Sequence, residues 1–98
     1  MPGKSGQRRL EWSPRADRDF FDAWAYIAQD NVDAADGVAR RIREAALALR
    51  AQPLVGRKGQ RPGTREMVVG QTPFTIIYRV RGTVIQIGRI LHQARRYP

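Results

Sequence analysis

Phe74-Thr75-Ile76-Ile77-Tyr78-Arg79-Val80, then Arg81-Gly82, then Thr83-Val84-Ile85-Gln86-Ile87-Gly88-Arg89-Ile90-Leu91: two β-prone runs meet at a tight turn. β-branched and aromatic side chains dominate both runs, and they suit a pleated, half-buried surface. The pair predicts a β-hairpin turning at Arg81-Gly82. Upstream, Thr64 to Val69 reads as another strand, set off by the turn Gly70-Gln71-Thr72-Pro73. Three strands joined by short turns predict an antiparallel meander. Residues 53–63 hold Pro53, Gly56, Gly59, Pro62 and Gly63, and are expected to form a loop without a regular element.

Further towards the N-terminus the period changes. Ser13-Pro14 is a helix start: Ser accepts from free N–H groups, and Pro at the first helical position loses nothing by lacking its own. Phe20, Trp24, Ile27 and Ala28 recur at helical spacing and are expected to face the core, in a helix running to about Gln29. Asp30-Asn31 breaks that helix and caps a second, from Val32 to about Ala51, with Pro53 beyond its end. Ala35, Val38, Ile42, Ala45 and Leu49 form the second helix's apolar stripe. So short a break predicts an antiparallel helical hairpin. Before it, Arg8-Arg9-Leu10-Glu11-Trp12 alternates like a short strand and is expected to join the sheet. The predicted class is α+β, in the order β-α-α-β-β-β, with a helical hairpin packed on an antiparallel sheet. At 98 residues this is one expected domain, residues 1–98, with residues 1–7 a loose N-terminal tail.

Composition narrows the function. With no cysteine, disulfide scaffolds, Cys-ligated zinc and thiol nucleophiles are excluded, and a reducing, cytoplasmic setting is expected. No apolar run approaches the roughly 20 residues of a membrane helix, so no membrane association is expected. No metal site and no cofactor are expected. Eighteen Lys and Arg oppose nine Asp and Glu, a net charge of +9. They are unevenly placed: residues 1–36 carry five bases and seven acids, whereas residues 37–98 carry thirteen bases and two acids, Glu44 and Glu66. Sixteen of the bases are Arg, whose planar fork matches phosphate or carboxylate two bonds at a time. An anionic partner is the expectation.

The candidate binding residues are Arg57, Lys58, Arg61 and Arg65, four bases on a Gly/Pro-framed loop and the strand after it; Arg79 and Arg89, expected on one sheet face; and Arg95-Arg96-Tyr97-Pro98, a basic and aromatic tail. Glu66 reads as a general base or, more simply, as the ion-pair partner of an Arg on a neighbouring strand. Tyr78 is expected in the core with its hydroxyl near an edge. His92, the single histidine, reads as an acid–base group or as a structural or exposed residue.

Trp12-Ser13-Pro14 with Ala16, Tyr26-Ile27-Ala28, Asp33-Ala34-Ala35, Pro53 with Gly56-Arg57, Gly63-Thr64-Arg65-Glu66, Ile77-Tyr78-Arg79-Val80 and Ile90-Leu91-His92-Gln93-Ala94-Arg95 resemble the RelE/ParE superfamily, toxins of bacterial type II toxin–antitoxin pairs. The resemblance covers about residues 8 to 98. It implies a helical hairpin on a curved antiparallel sheet, a cognate antitoxin, a toxin–antitoxin hetero-oligomer and growth arrest.

Within that superfamily, RelE-like members cut mRNA on the ribosome with basic and aromatic residues, whereas ParE-like members poison DNA gyrase. Gly70 stands where RelE-like members place one Arg, and His92 where they place another, while Tyr97 lies one residue from their C-terminal tyrosine. Arg65 and Leu91-His92 fall near residues of a further ribonuclease branch. The Gly-Thr-Arg-Glu and Leu-His…Ala-Arg runs look more like ParE. The resemblance therefore implies a gyrase inhibitor held by an antitoxin. The alternative is a ribosome-dependent mRNA endoribonuclease, with Arg65, His92 and Tyr97 as catalytic candidates. A plain nucleic-acid-binding module is the third reading.

Overall fold

The computed structural model describes residues 8–93. The tail expected at residues 1–7 and the candidates Arg95, Arg96 and Tyr97 lie outside the described residues. In chain order the elements are β1 (Arg9–Trp12), α1 (Pro14–Ala28), α2 (Val32–Ala48), β2 (Arg57–Lys58), β3 (Arg65–Val68), β4 (Phe74–Arg81) and β5 (Val84–His92). They build a helical hairpin on one five-stranded sheet of order β1-β5-β4-β3-β2.

The caps act where the sequence puts them. The Ser13 hydroxyl accepts from the Ala16 amide and the Asn31 side chain from the Ala34 amide, each at 2.9 Å. Ser13 Oγ also donates to the Gly88 carbonyl at 2.9 Å, which ties the start of α1 to β5. Ala16, Phe20, Ala23 and Ile27 form the inward stripe of α1, with the two alanines buried and the larger pair packed on the core. Small residues there let the helix lie close to the sheet. Trp24 does not enter the core as expected. Its indole N–H donates to the Asp36 carboxylate at 2.8 Å, at the outer join of the two helices. An indole needs an acceptor, and Asp36 on α2 supplies one at the surface. In α2, Ala35, Ala39, Ile42 and Ala46 are the buried positions, followed by the buried Leu49 at the helix's C-terminal cap. The Arg43 guanidinium lies 5.3 Å from the Phe20 ring centre, a cation over an aromatic face.

β3, β4 and β5 form the expected antiparallel meander. The turn sits one residue later than expected: Arg81 pairs with Val84, so Gly82 and Thr83 make the two-residue loop, and Gly82 takes the positive φ of 57°. β1 runs parallel to β5, so the whole sheet is mixed rather than purely antiparallel. The chain must cross from one edge to the other end of the meander, and the helical hairpin is that crossover.

The expected loop at 53–63 contains a strand after all. Arg57 pairs with Glu66 and Lys58 with Arg65, extending the sheet by one short edge. Two residues between glycines carry no periodic signal; the pairing comes from the chain doubling back through Gly63, which adopts φ 77°. Phe74, Ile76, Tyr78, Ile85, Ile87 and Ile90 are the sheet's contribution to the core. No helix is long and apolar enough to cross a membrane among the described residues.

Candidate functional site

The sheet face bears an open groove of about 690 Å³. Arg79 on β4 and Arg89 on β5 reach it from the sheet, Arg61 from the loop after β2, and Arg15 from the first turn of α1. Glu11 on β1 is the carboxylate on its wall. Arg79 stands opposite Gln86, on the strand face away from Tyr78, because neighbouring strand residues point to opposite sides. Arg89 is ion-paired with Asp19, and Arg15, Arg61 and Arg79 stand against Glu11 among the described residues, which gives the groove a positive field that suits carboxylate or phosphate oxygens. Arg9 lies 2.8 Å from Glu11 and holds its carboxyl below the usual value, so that acid stays charged.

Arg89 is fixed by a carboxylate of α1. Its Nε and Nη2 donate to the two Asp19 carboxylate oxygens at 2.7 and 3.2 Å, and Asp19 also accepts the Ile90 amide at 2.9 Å. Asp19 therefore clamps α1 to β5 across 70 residues of sequence. Its position in α1 reads as a favourable charge near a helix start, and nothing local points to Arg89. Arg15 was likewise missed; it looks like an ordinary helix-surface base.

The other predicted residues lie elsewhere. Arg65 turns its guanidinium onto backbone, donating to the Gly56 carbonyl at 2.7 Å and the Leu54 carbonyl at 3.4 Å. Glu66 takes the ion-pair role: Arg57 on the neighbouring strand lies 3.5 Å from one carboxylate oxygen, and the Gln60 amide donates to the other at 3.2 Å. Lys58 is exposed on the same edge strand. Tyr78 is 1% exposed, with its hydroxyl at the margin of the core. That oxygen accepts from the Gly56 amide at 2.9 Å and donates to the Pro53 carbonyl at 2.8 Å. Burial pushes the phenol above its ordinary pKa, against the pull of the Gly56 amide and the Arg65 charge.

His92 ends β5 and packs edge-on against Phe74, with ring centres 5.3 Å apart. It lines a separate hollow of about 490 Å³ with Asp22 and Tyr26. His92 is paired with Phe74 and Arg65 with Tyr78. Four residues of β4 thus separate these two candidates, roughly 13 Å along the strand at about 3.3 Å per residue. The structure brings together Arg61, Arg79 and Arg89; it does not bring Arg65 and His92 to one point.

Comparison with known proteins agrees with this architecture. Residues 10–97 match the profile of the family described as ParE toxin of type II toxin-antitoxin system, parDE. A Sinorhizobium fredii relative, Y4kP, whose name marks it provisionally as a toxin, is 37% identical over 92 residues, spanning 94% of this chain and 95% of that one. The solved chromosomal ParDE toxin–antitoxin system of P. aeruginosa superposes with a TM-score of 0.79 at 28% identity, covering 90% of this chain and 98% of its own. The E. coli DinJ–YafQ toxin–antitoxin complex matches at a TM-score of 0.56 and 15% identity, covering 90% of this chain and 94% of its own, a likeness of fold. The match from β1 to beyond β5, together with the Y4kP identity, places this chain in the ParE toxin family of type II toxin–antitoxin systems.

Proposed function

We infer that the protein is a toxin that inhibits DNA gyrase by binding, without chemistry of its own, and that a cognate antitoxin neutralises it in a cytoplasmic toxin–antitoxin hetero-oligomer. Membership of the ParE family supports the reading first. The observation that carries it further is how the candidate catalytic side chains are used. RNA cleavage needs a base, an acid and a charged group converging on one phosphate. Here Arg65 is turned onto the carbonyls of Leu54 and Gly56, Glu66 is held by Arg57 and the Gln60 amide, and Tyr78 is locked between Pro53 and Gly56. His92 stands at the far end of β4. These groups hold up loops and edges.

A binding role suits the rest. The basic half of the chain offers an extended surface to an acidic antitoxin, and the groove lined by Arg61, Arg79 and Arg89 adds positive charge to it. The test pairs two assays on toxin released from its antitoxin: supercoiling by purified gyrase, and primer extension on mRNA from translating ribosomes. Loss of supercoiling with intact mRNA is the expected result. Codon-phased cuts with normal supercoiling would overturn it and return Arg57, Lys58, Arg65, His92 and Tyr97 to the catalytic question.

A further inference from the structure

Between α2 and β2 the chain exposes two aliphatic side chains side by side. Leu54 is 64% and Val55 56% exposed. Large aliphatic residues on a turn usually accompany a loose backbone, because the segment has no core to hold it. This segment is held from beneath. The Pro53 carbonyl accepts from Tyr78, the Gly56 amide donates to Tyr78, and the Leu54 and Gly56 carbonyls accept from Arg65. The Val55 amide donates to the Gln52 carbonyl at 3.2 Å. At Gly56 the backbone presses so close that a Cβ would lie 2.6 Å from the Tyr78 hydroxyl and 2.9 Å from the Glu66 carbonyl. The fold thus spends a buried tyrosine, an arginine and a required glycine to fix a turn whose outward product is two exposed apolar side chains.

The geometry points to the Leu54–Val55 tip as the surface that contacts the target enzyme, with Tyr78 and Arg65 as positioning residues. This rests on the gyrase reading above. A rigid apolar tip gives up little conformational freedom on docking, so more of its burial appears as affinity. After Gly56 come Arg57 and Lys58, exposed cations on the edge strand, of which Arg57 is loosely paired with Glu66 at 3.5 Å. An apolar tip beside a positive flank matches a protein surface with an apolar pocket and an acidic rim. Nucleic acid is the poorer match, since a phosphate backbone attracts the flank but gives Leu54 and Val55 nothing to bury against. Arg65, which in sequence reads as a phosphate ligand, is on this account the strut of a protein-binding tip.

The test compares wild-type toxin with the double variant Leu54→Ser, Val55→Ser in the gyrase supercoiling assay, alongside antitoxin binding, circular dichroism and thermal melting. Both side chains are exposed, so the variant should melt like wild type. The expected result is a rise of roughly tenfold or more in the toxin concentration needed for half-inhibition. A second variant, Tyr78→Phe, keeps both apolar side chains but loosens the turn, and should lose inhibition under conditions where it remains folded. Equal inhibition by the wild type and the double variant overturns the proposal alone. Retained inhibition with lost antitoxin binding also overturns it and gives the tip to the antitoxin. A wild type that leaves gyrase untouched ends the gyrase reading and this proposal together.

Discussion

Replacing Tyr78 with Phe removes one oxygen and leaves the ring that fills the core. The structure sets the cost. The hydroxyl is the partner of the Gly56 amide at 2.9 Å and of the Pro53 carbonyl at 2.8 Å. Gly56 is buried, so its amide is left without an acceptor, at about 1–3 kcal/mol. Pro53 is half-buried and water reaches it more easily, so its loss is nearer the net value of an ordinary hydrogen bond, about 1 kcal/mol. No cavity larger than an oxygen atom forms, so no large packing term is added. The sum is about 2–4 kcal/mol, a large share of the stability of a domain this size. At about 5 °C per kcal/mol, melting should fall by roughly 10–20 °C. Urea unfolding followed by the fluorescence of Trp12 and Trp24 measures the free energy, and amide hydrogen exchange at Gly56 reports the same bond locally. A change under about 0.5 kcal/mol with Gly56 still protected would refute the reasoning, because it would mean that water or a rearranged loop replaces the hydroxyl at no cost.

Three further outcomes are expected. Asp19→Ala should destabilise by about 2–3 kcal/mol in the same urea assay, since it removes a two-bond partner of Arg89 and the acceptor of the Ile90 amide together. Ultraviolet titration of the tyrosines should show one late phase, missing from Tyr78→Phe, because burial favours the neutral Tyr78 phenol. That preference stabilises the fold below the unfolded phenol's pKa of about 10 and is lost as pH rises from there through the folded value, so the wild type should become easier to unfold in alkali. Arg57→Ala should change stability by less than about 1 kcal/mol, as its pair with Glu66 is long, at 3.5 Å, and its own side chain is 71% exposed.

The parts of the fold that were legible are those whose signal is local. The Phe74–Leu91 hairpin announces itself by β-branched density on either side of a glycine, and Ser13-Pro14 and Asn31 mark helix starts by chemistry that acts within three residues. Tyr78 was legible as a core residue because it shares a strand face with Ile76 and Val80. Trp24 misled because helical spacing shows that a residue lies near the inward face but not that Asp36, twelve positions on, offers its indole a surface acceptor. β2 was invisible because two residues have no period, and its existence depends on the register of β3. The candidate surface was half legible. The basic character of Arg57, Lys58, Arg61, Arg65, Arg79 and Arg89 is plain in the sequence, yet composition cannot divide them. Whether an arginine faces a groove, a carboxylate or a backbone carbonyl depends on which distant segment folds against it. The Asp19–Arg89 and Tyr78–Gly56 contacts span 70 and 22 residues.

The parallel pairing of β1 with β5 has a consequence for how the molecule comes into being on the ribosome. Arg9 finds its partner in Val84 and Trp12 in Ile87, so β1 waits for β5 to be made. The Ser13 and Asp19 anchors wait equally long, for Gly88 and Arg89. Pairings this distant in sequence close late and slowly. Synthesis therefore yields a chain whose sheet stays incomplete until β5 has been made. A product cut short before β5 lacks both the strand that lies between β1 and β4 and the dock for α1, and cannot assume the shape described here. In this member of a toxin family, the making of β5 is the step that completes the fold.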